Sequence, residues 1–209
     1  MTELTDKKKR FILTDFLRAH FGGFLDPVGR FFNRLGVHPN TMTILGLVGN
    51  AIGAVLLSQG QMFWGGILIF LMGPVDALDG TMARLRGEPT KFGGFVDSVT
   101  DRYSELVILG GLMAYFIQHS AWLAVGLTYA AAAGSVLVSY VRARGQSVGY
   151  DTKVGILTRF ERYVVLAPAL LLNYPIVAVA IIALFANLTA LQRILDVRRQ
   201  AYQQAVGRR

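Results

Sequence analysis

Residues 41–75 read TMTILGLVGNAIGAVLLSQGQMFWGGILIFLMGPV, and no Asp, Glu, Lys or Arg interrupts them. A helix crosses the hydrocarbon core of a bilayer in about 20 residues, so this run is too long for one span and long enough for two. The polar SQGQ at 58–61 is where it divides. Working outward, charge is also absent from Leu106 to Val141 and from Tyr163 to Gln192. The 209-residue chain is 53% hydrophobic and 16% charged, against about 25% charge in a soluble domain. Long uninterrupted apolar segments of this kind are spanning helices, because lipid offers the backbone no hydrogen-bond partners. The fold class expected is an all-α integral membrane protein.

The pattern predicts six transmembrane helices, near 41–58, 62–82, 93–118, 121–144, 156–172 and 175–199, with Pro168 bending the fifth. The connections SQGQ, QHSA and NYP carry no formal charge. On the other side stand KKKR, LRGEPTK, the segment from Arg142 to Arg162, and a tail with Arg193, Arg198, Arg199, Arg208 and Arg209. The positive-inside rule then puts both termini and the basic connections in the cytoplasm of a cell (inner) membrane protein. Ahead of the first span, Phe16, Leu17, Phe21, Phe24 and Leu25 share a stripe flanked by Arg18, Arg30 and Arg34, continued by Phe31, Phe32 and Leu35. This predicts an N-terminal amphipathic helix lying on the inner leaflet, bent near Gly22–Gly23 and Asp26–Pro27; an ordinary soluble helix is the plainer alternative. The expected organisation is a cytoplasmic N-terminus with juxtamembrane helix (1–38), a six-helix catalytic domain (39–199) and a tail (200–209). After MTELTDKKKR no short apolar run with a small-residue cleavage site follows, so no removable signal peptide is expected. There is no cysteine, which excludes disulfides and thiolate metal sites. The net charge of +8, in so apolar a chain, points to membrane orientation and an anionic substrate rather than nucleic acid.

Directly after the opening run comes DALDGTMARLRGEPTKFGGFVDSVTD, residues 76–101. Asp76, Asp79, Gly80 and Ala83 fall at i, i+3, i+4 and i+7, on one helical face, and Asp97 and Asp101 lie one turn apart on the next helix. Each Asp near mid-bilayer costs roughly 2.5–3.5 kcal/mol to insert, and four together repel one another. An oxygen-only ligand set without His or Cys selects Mg²⁺, Mn²⁺ or Ca²⁺ over zinc. Three readings are open: a transport site, a structural network with Arg84, Arg86 and Arg102, or a two-metal site acting on phosphate. Gly80, Ala83, Gly93 and Gly94 clear room beside the acids for a diphosphate, and Arg84 could hold a phosphate oxygen; these favour the third.

The pattern D76-x-x-D79-G80-x-x-A83-R84-x8-G93-x-x-x-D97-x-x-x-D101 resembles the signature of the CDP-alcohol phosphatidyltransferase family without departure. The resemblance implies that a CDP-linked lipid donates its phosphatidyl group to an alcohol and CMP leaves. It implies Asp76, Asp79 and Asp97 as metal ligands, with Asp101 sharing the second metal and serving as candidate general base. It implies a donor site bordered by Asp76, Gly80, Ala83 and Arg84, with Asn40 and Thr43 near the nucleotide; for Asn40 a helix cap is the plainer reading. Mg²⁺ or Mn²⁺ is the implied cofactor and a homodimer the implied assembly. GxxxG-like pairs (Gly46 with Asn50, Gly49 with Gly53) and the AAAAG run allow close helix contacts between or within subunits.

For the acceptor, SYVRARGQSVGYDTKVGILTRFERY and TALQRILDVRR supply the basic residues. Several arginines beside a metal site suit a second anion, so a phosphorylated alcohol is expected over free serine, choline or ethanolamine. VRARG, FER and TALQR resemble the bacterial phosphatidylinositol-phosphate synthase branch of the family. That resemblance implies CDP-diacylglycerol and inositol 1-phosphate as substrates and Arg142, Lys153, Arg162 and Arg193 as acceptor-phosphate residues. Glycerol 3-phosphate is the first alternative, followed by another alcohol, including use of an archaeal-type lipid donor; a transporter is the remote one.

Overall fold

The computed structural model describes residues 25–87 and 90–206. Among them are seven helices: α1 over 25–34, α2 Pro39–Ser58, α3 Met62–Leu85, α4 Lys91–Gln118, α5 Trp122–Ser147, α6 Arg159–Leu171 and α7 Pro175–Val206. The expectation of six spans behind an interfacial helix is corrected here. Four helices are long and apolar enough to cross a membrane: α2, α3, α5 and α7, with mean hydropathies of 1.7, 1.4, 1.5 and 2.0. The multi-pass membrane character therefore stands, on fewer candidate spans.

The two that fall short do so for different reasons. Helix α4 is 28 residues long, but Lys91, Asp97, Asp101, Arg102 and Glu105 fall within its first fifteen. Only the stretch after Glu105 is apolar. Helix α6 has 13 residues, which at 1.5 Å each cover about 20 Å of a hydrocarbon core about 30 Å thick. Its expected first turn is not helical; residues 156–158 belong to a loop pinned by α7. Pro168 lies inside α6 without ending it.

Of the amphipathic stripe, Phe16, Leu17, Phe21 and Phe24 lie outside the described residues. The described part, α1, is tied into the bundle. Asn33 Nδ2 donates to the Met82 carbonyl (3.1 Å) and Asn33 Oδ1 accepts from Arg86 Nε (2.7 Å). Gly29 lies against Thr81 and Leu85, where a Cβ would come within 3.3 Å of both side chains. A small apolar cluster of Met42, Leu78 and Met82, joined by Leu25, Val28 and Phe32, fills the space between α1, α2 and α3.

Helix α2 packs between α3 and α4, and α5 packs along α7. Small residues set these distances, because apolar helices in lipid gain from close packing rather than from leaving water. A Cβ on Gly53 would lie 3.4 Å from the Gly65 carbonyl and one on Gly65 3.0 Å from the Gly53 carbonyl, so α2 and α3 approach backbone to backbone. Gly49 faces Met72, and Gly134 of the AAAAG run faces Asn187 of α7. These small residues are therefore used within the subunit. The main core is built from side chains such as Leu57, Ile69, Leu109, Leu112, Leu170 and Ile182.

Pro74 sits inside α3, two residues before Asp76. It has no N–H for the carbonyl four residues earlier, that of Phe70. Tyr163 of α6 fills the gap: its hydroxyl donates to the Phe70 carbonyl at 2.5 Å and lies 3.2 Å from that of Ile69. Gly73 makes room for the ring. Helix α6 is thereby fastened to α3 one turn from the acidic residues.

Candidate active site

The acids occupy the charged ends of α3 and α4. Asp76, Asp97 and Asp101 each offer a carboxylate oxygen within a spread of 4.8 Å. Asp76 and Asp97 are half-buried and Asp101 is buried. Asp79 is outside this compact trio. It is buried and held by Thr43 of α2, whose hydroxyl donates to Asp79 Oδ2 at 2.5 Å. Thr43, placed beside the nucleotide by resemblance, is thus seen orienting an aspartate; its hydroxyl also lies 3.3 Å from the Pro39 carbonyl.

An arginine at the first position of α6 sits among these acids. Arg159 Nη2 is 2.6 Å from Asp76 Oδ2 and 2.6 Å from Asp101 Oδ1. The contact with Asp76 is a hydrogen bond. That with Asp101 is close but not aligned as one, so buried Asp101 Oδ1 has no hydrogen-bond partner. A buried carboxylate oxygen without a donor is costly. Together with an all-carboxylate donor set, it fits a hard divalent cation, which such oxygens satisfy without hydrogen-bond geometry. Asp76, Asp97 and Asp101 are the residues that could hold it.

Beyond Arg159 opens a cavity of about 860 Å³. Arg102, Arg142, Arg159, Arg162 and Arg193 line it, with Ser98, Ser139 and Thr158 between them and Phe95, Val99, Tyr103 and Tyr140 along its wall. Most of these guanidinium groups are committed to the protein. Arg162 is 3% exposed and grips Glu105 with two bonds, Nε to Oε1 at 2.5 Å and Nη2 to Oε2 at 2.9 Å. Its Nη1 donates to the Leu157 carbonyl at 3.2 Å. Arg193 donates from Nε to the Val154 carbonyl and from Nη1 to the Val138 carbonyl. Arg102 reaches Ser98, Ser139 and, at 3.5 Å, Asp101. Arg142 is exposed and makes no hydrogen bond or ion pair among the described residues.

The loop between α5 and α6 is clasped by α7. Thr189 Oγ1 accepts the backbone N–H groups of Ile156 (3.2 Å) and Leu157 (3.1 Å). Arg193, one turn along α7, takes the Val154 carbonyl. Gly155 has φ of +148° and its absent Cβ would lie 2.3 Å from Thr189 Cγ2, so no other residue fits there. This clasp sets where α6 begins, and hence where Arg159 stands.

The remaining expected site residues fall as follows. Asn40 is half-buried and faces the Cα of Gly93 across α2 and α4; a Cβ there would be 3.6 Å from its Oδ1. It is not the helix cap, since the N-cap of α2 is His38 with Pro39 following. Arg84 is exposed and curls over Gly80, donating to Thr81 Oγ1 at 2.9 Å, with Ala83 half-buried beside it. Lys153 does not line the cavity; it pairs with Asp151 at 3.1 Å on the exposed loop. That hydrogen bond from Lys153 holds the Asp151 carboxyl below the usual carboxylate range. Arg159 and Glu105 were not among the expected site residues. Glu105 continues the Asp97, Asp101 stripe at the next i+4 position, which is the signal that could have found it.

A multi-pass helical bundle with carboxylates converging beside a basic cavity defines a membrane enzyme acting on anionic substrates. The description of the CDP-alcohol phosphatidyltransferase family matches residues 36–194, and the chain belongs to that family. Among its relatives is the phosphatidylinositol phosphate synthase of Streptomyces avermitilis, 35% identical over 208 residues, covering 91% of this chain and 84% of the relative. The fold is also that of the Mycobacterium tuberculosis phosphatidylinositol phosphate synthase at 28% identity. Its crystal structure with CDP-DAG bound superposes with a TM-score of 0.78, covering 83% of this chain and 92% of that one. Its complex with manganese and citrate gives 0.79, covering 83% and 88%. The acid cluster and the manganese-bound relative support use of a divalent metal cofactor.

Proposed function

We propose that the protein transfers the phosphatidyl group of CDP-diacylglycerol to inositol 1-phosphate, releasing CMP. The observation that carries this reading is the acid trio joined through Arg159 to a cavity lined by five arginines. One anionic substrate is cut at the acids and a second is held beside them. The relatives named for phosphatidylinositol phosphate synthesis support the choice of acceptor.

Asp76, Asp79, Asp97 and Asp101 are proposed as ligands of a two-metal site. Bound there, divalent ions neutralise the diphosphate and raise the acidity of the acceptor hydroxyl. The hydroxyl oxygen attacks the β-phosphorus, the bond from that phosphorus to the oxygen shared with CMP breaks, and CMP carries the electron pair away. Asp101 is the proposed base and takes the hydroxyl proton. Gly80, Ala83 and Arg84 border the diphosphate, with Asn40 near the nucleotide and Thr43 orienting Asp79. Arg142 and Arg193 are proposed to contact the acceptor phosphate. The pair with Glu105 supports a positioning role for Arg162, and Lys153 takes part only by releasing Asp151.

We place this site at the cytoplasmic face, because Arg84, Arg86, Lys91, Arg142 and Arg144 lie at its end of the helices and the opposite turns are uncharged. A homodimer is expected, and light scattering in detergent giving a single chain's mass would remove it. The acceptor is tested by offering purified enzyme inositol 1-phosphate, glycerol 3-phosphate, inositol and serine in parallel. Preference for inositol 1-phosphate is expected. Preference for glycerol 3-phosphate favours the second reading, a phosphatidylglycerophosphate synthase.

A further inference from the structure

Arg159 stands where a metal would stand, and it also lines the cavity where the acceptor would bind. We propose that it serves both sites in turn. It holds Asp76 and Asp101 together until a divalent cation takes their oxygens, and its guanidinium then turns into the cavity and binds the acceptor phosphate. This rests on the reading of the cavity as an acceptor-phosphate site.

Three observations lead there. First, Nη2 lies 2.6 Å from two carboxylates of the trio whose oxygens fall within 4.8 Å. A divalent ion on those oxygens and a guanidinium among them repel each other at contact distance, so the two exclude one another. Second, the side chain is 41% exposed where it borders the cavity, while its backbone is fixed from three sides. Thr189 anchors the preceding loop, Arg162 grips Glu105, and Tyr163 bonds to α3. Displacement thus moves the side chain and leaves α6 in place. Third, Arg162 is tied to Glu105 and Arg193 to two carbonyls, groups a cation does not touch, Arg142 is tied to none, and Arg102 meets one acid of the trio at 3.5 Å while bonded to Ser98 and Ser139. Arg159 is held by the metal ligands themselves. Loading the cation therefore adds a positive charge and a forked donor to the cavity, and metal and acceptor strengthen each other's binding. By linkage the effect is reciprocal.

The test measures Mn²⁺ binding to the purified full chain in detergent, from the electron paramagnetic resonance of free Mn²⁺. Inorganic phosphate is the probe for the cavity, compared at matched free ion. In the wild type, phosphate should tighten Mn²⁺ by about 5-fold or more, the lower end of common couplings. Arg159→Gln should bind Mn²⁺ more tightly than wild type when phosphate is absent, because its competitor is gone, and should lose most of the phosphate effect. Arg159→Lys keeps a charge at the site but lacks the fork that spans two carboxylates, so it shifts both quantities in the same direction by less. This variant carries the test if the first does not fold. Unchanged or weaker Mn²⁺ binding without phosphate overturns the proposal, as does a phosphate effect kept at full size. If the enzyme rejects inositol 1-phosphate while these shifts are seen, the acceptor reading fails and the role of Arg159 stands.

Discussion

Replacing Arg162 by Met separates a structural role from a substrate-binding one. Arg162 is 3% exposed and Glu105 19%, and two short bonds join them across α6 and α4. Removing one partner of a buried pair costs about 3–5 kcal/mol, because the other charge is left uncompensated. Glu105 keeps some solvent contact, so the lower end, about 3 kcal/mol, applies. In a chain of this size each kcal/mol moves the melting temperature by about 2–4 °C. Arg162→Met should therefore melt about 6–12 °C lower. Adding Glu105→Leu removes the stranded charge and should recover most of that loss, since an apolar pair of similar volume often matches an ion pair. Thermal unfolding in detergent, followed through Trp64 and Trp122, reads both variants. A single variant that melts within 2 °C of wild type, taken as about 1 kcal/mol at most, refutes the reasoning. So does a double variant as unstable as the sum of the two single changes.

Three further outcomes follow from contacts of the same kind. Tyr163→Phe strands the Phe70 carbonyl that Pro74 leaves free, at about 1–3 kcal/mol, and should lower the melting temperature by several degrees. Thr189→Val takes the acceptor from two backbone N–H groups, so hydrogen exchange at Ile156 and Leu157 should accelerate, and KM for the phosphorylated acceptor should rise more than KM for the donor. Equal changes in the two would separate the clasp from the acceptor cavity. Gly111→Ala would place a Cβ 2.3 Å from the Ala54 carbonyl, forcing α4 off α2 at about 1–3 kcal/mol; unchanged stability would show that the helices can part freely.

The acids were legible because their chemistry and their spacing agree: Asp76 and Asp79 on one helical face, Asp97 and Asp101 one turn apart, in surroundings too apolar for idle charge. Periodicity could not show that Asp79 would turn to Thr43 while the other three converge. Counting charge-free windows gave too many spans. It credited 93–118 with the length of α4 without weighing the four charged residues Asp97, Asp101, Arg102 and Glu105 within it, and credited 156–172 with residues that α7 holds as a loop. The basic residues were legible as a group and not as individuals. Whether an arginine faces Glu105, a carbonyl or open space depends on neighbours 30 to 60 positions away, such as Glu105 for Arg162 and Val138 for Arg193. Arg159 carries no local signal that separates it from Arg162, yet it is the one that reaches both Asp76 and Asp101.

The most direct measurement is CMP release from CDP-diacylglycerol by the purified protein, with and without Mg²⁺ or Mn²⁺, in wild type and Asp97→Asn. Asp97 belongs to the trio and forms no hydrogen bond or ion pair among the described residues, so its loss strikes the cation site with little effect on the fold. Release should require the cation, stop on chelation, and be abolished in the variant while its melting temperature stays near that of wild type. Full release without metal, or full activity in Asp97→Asn, would contradict the account.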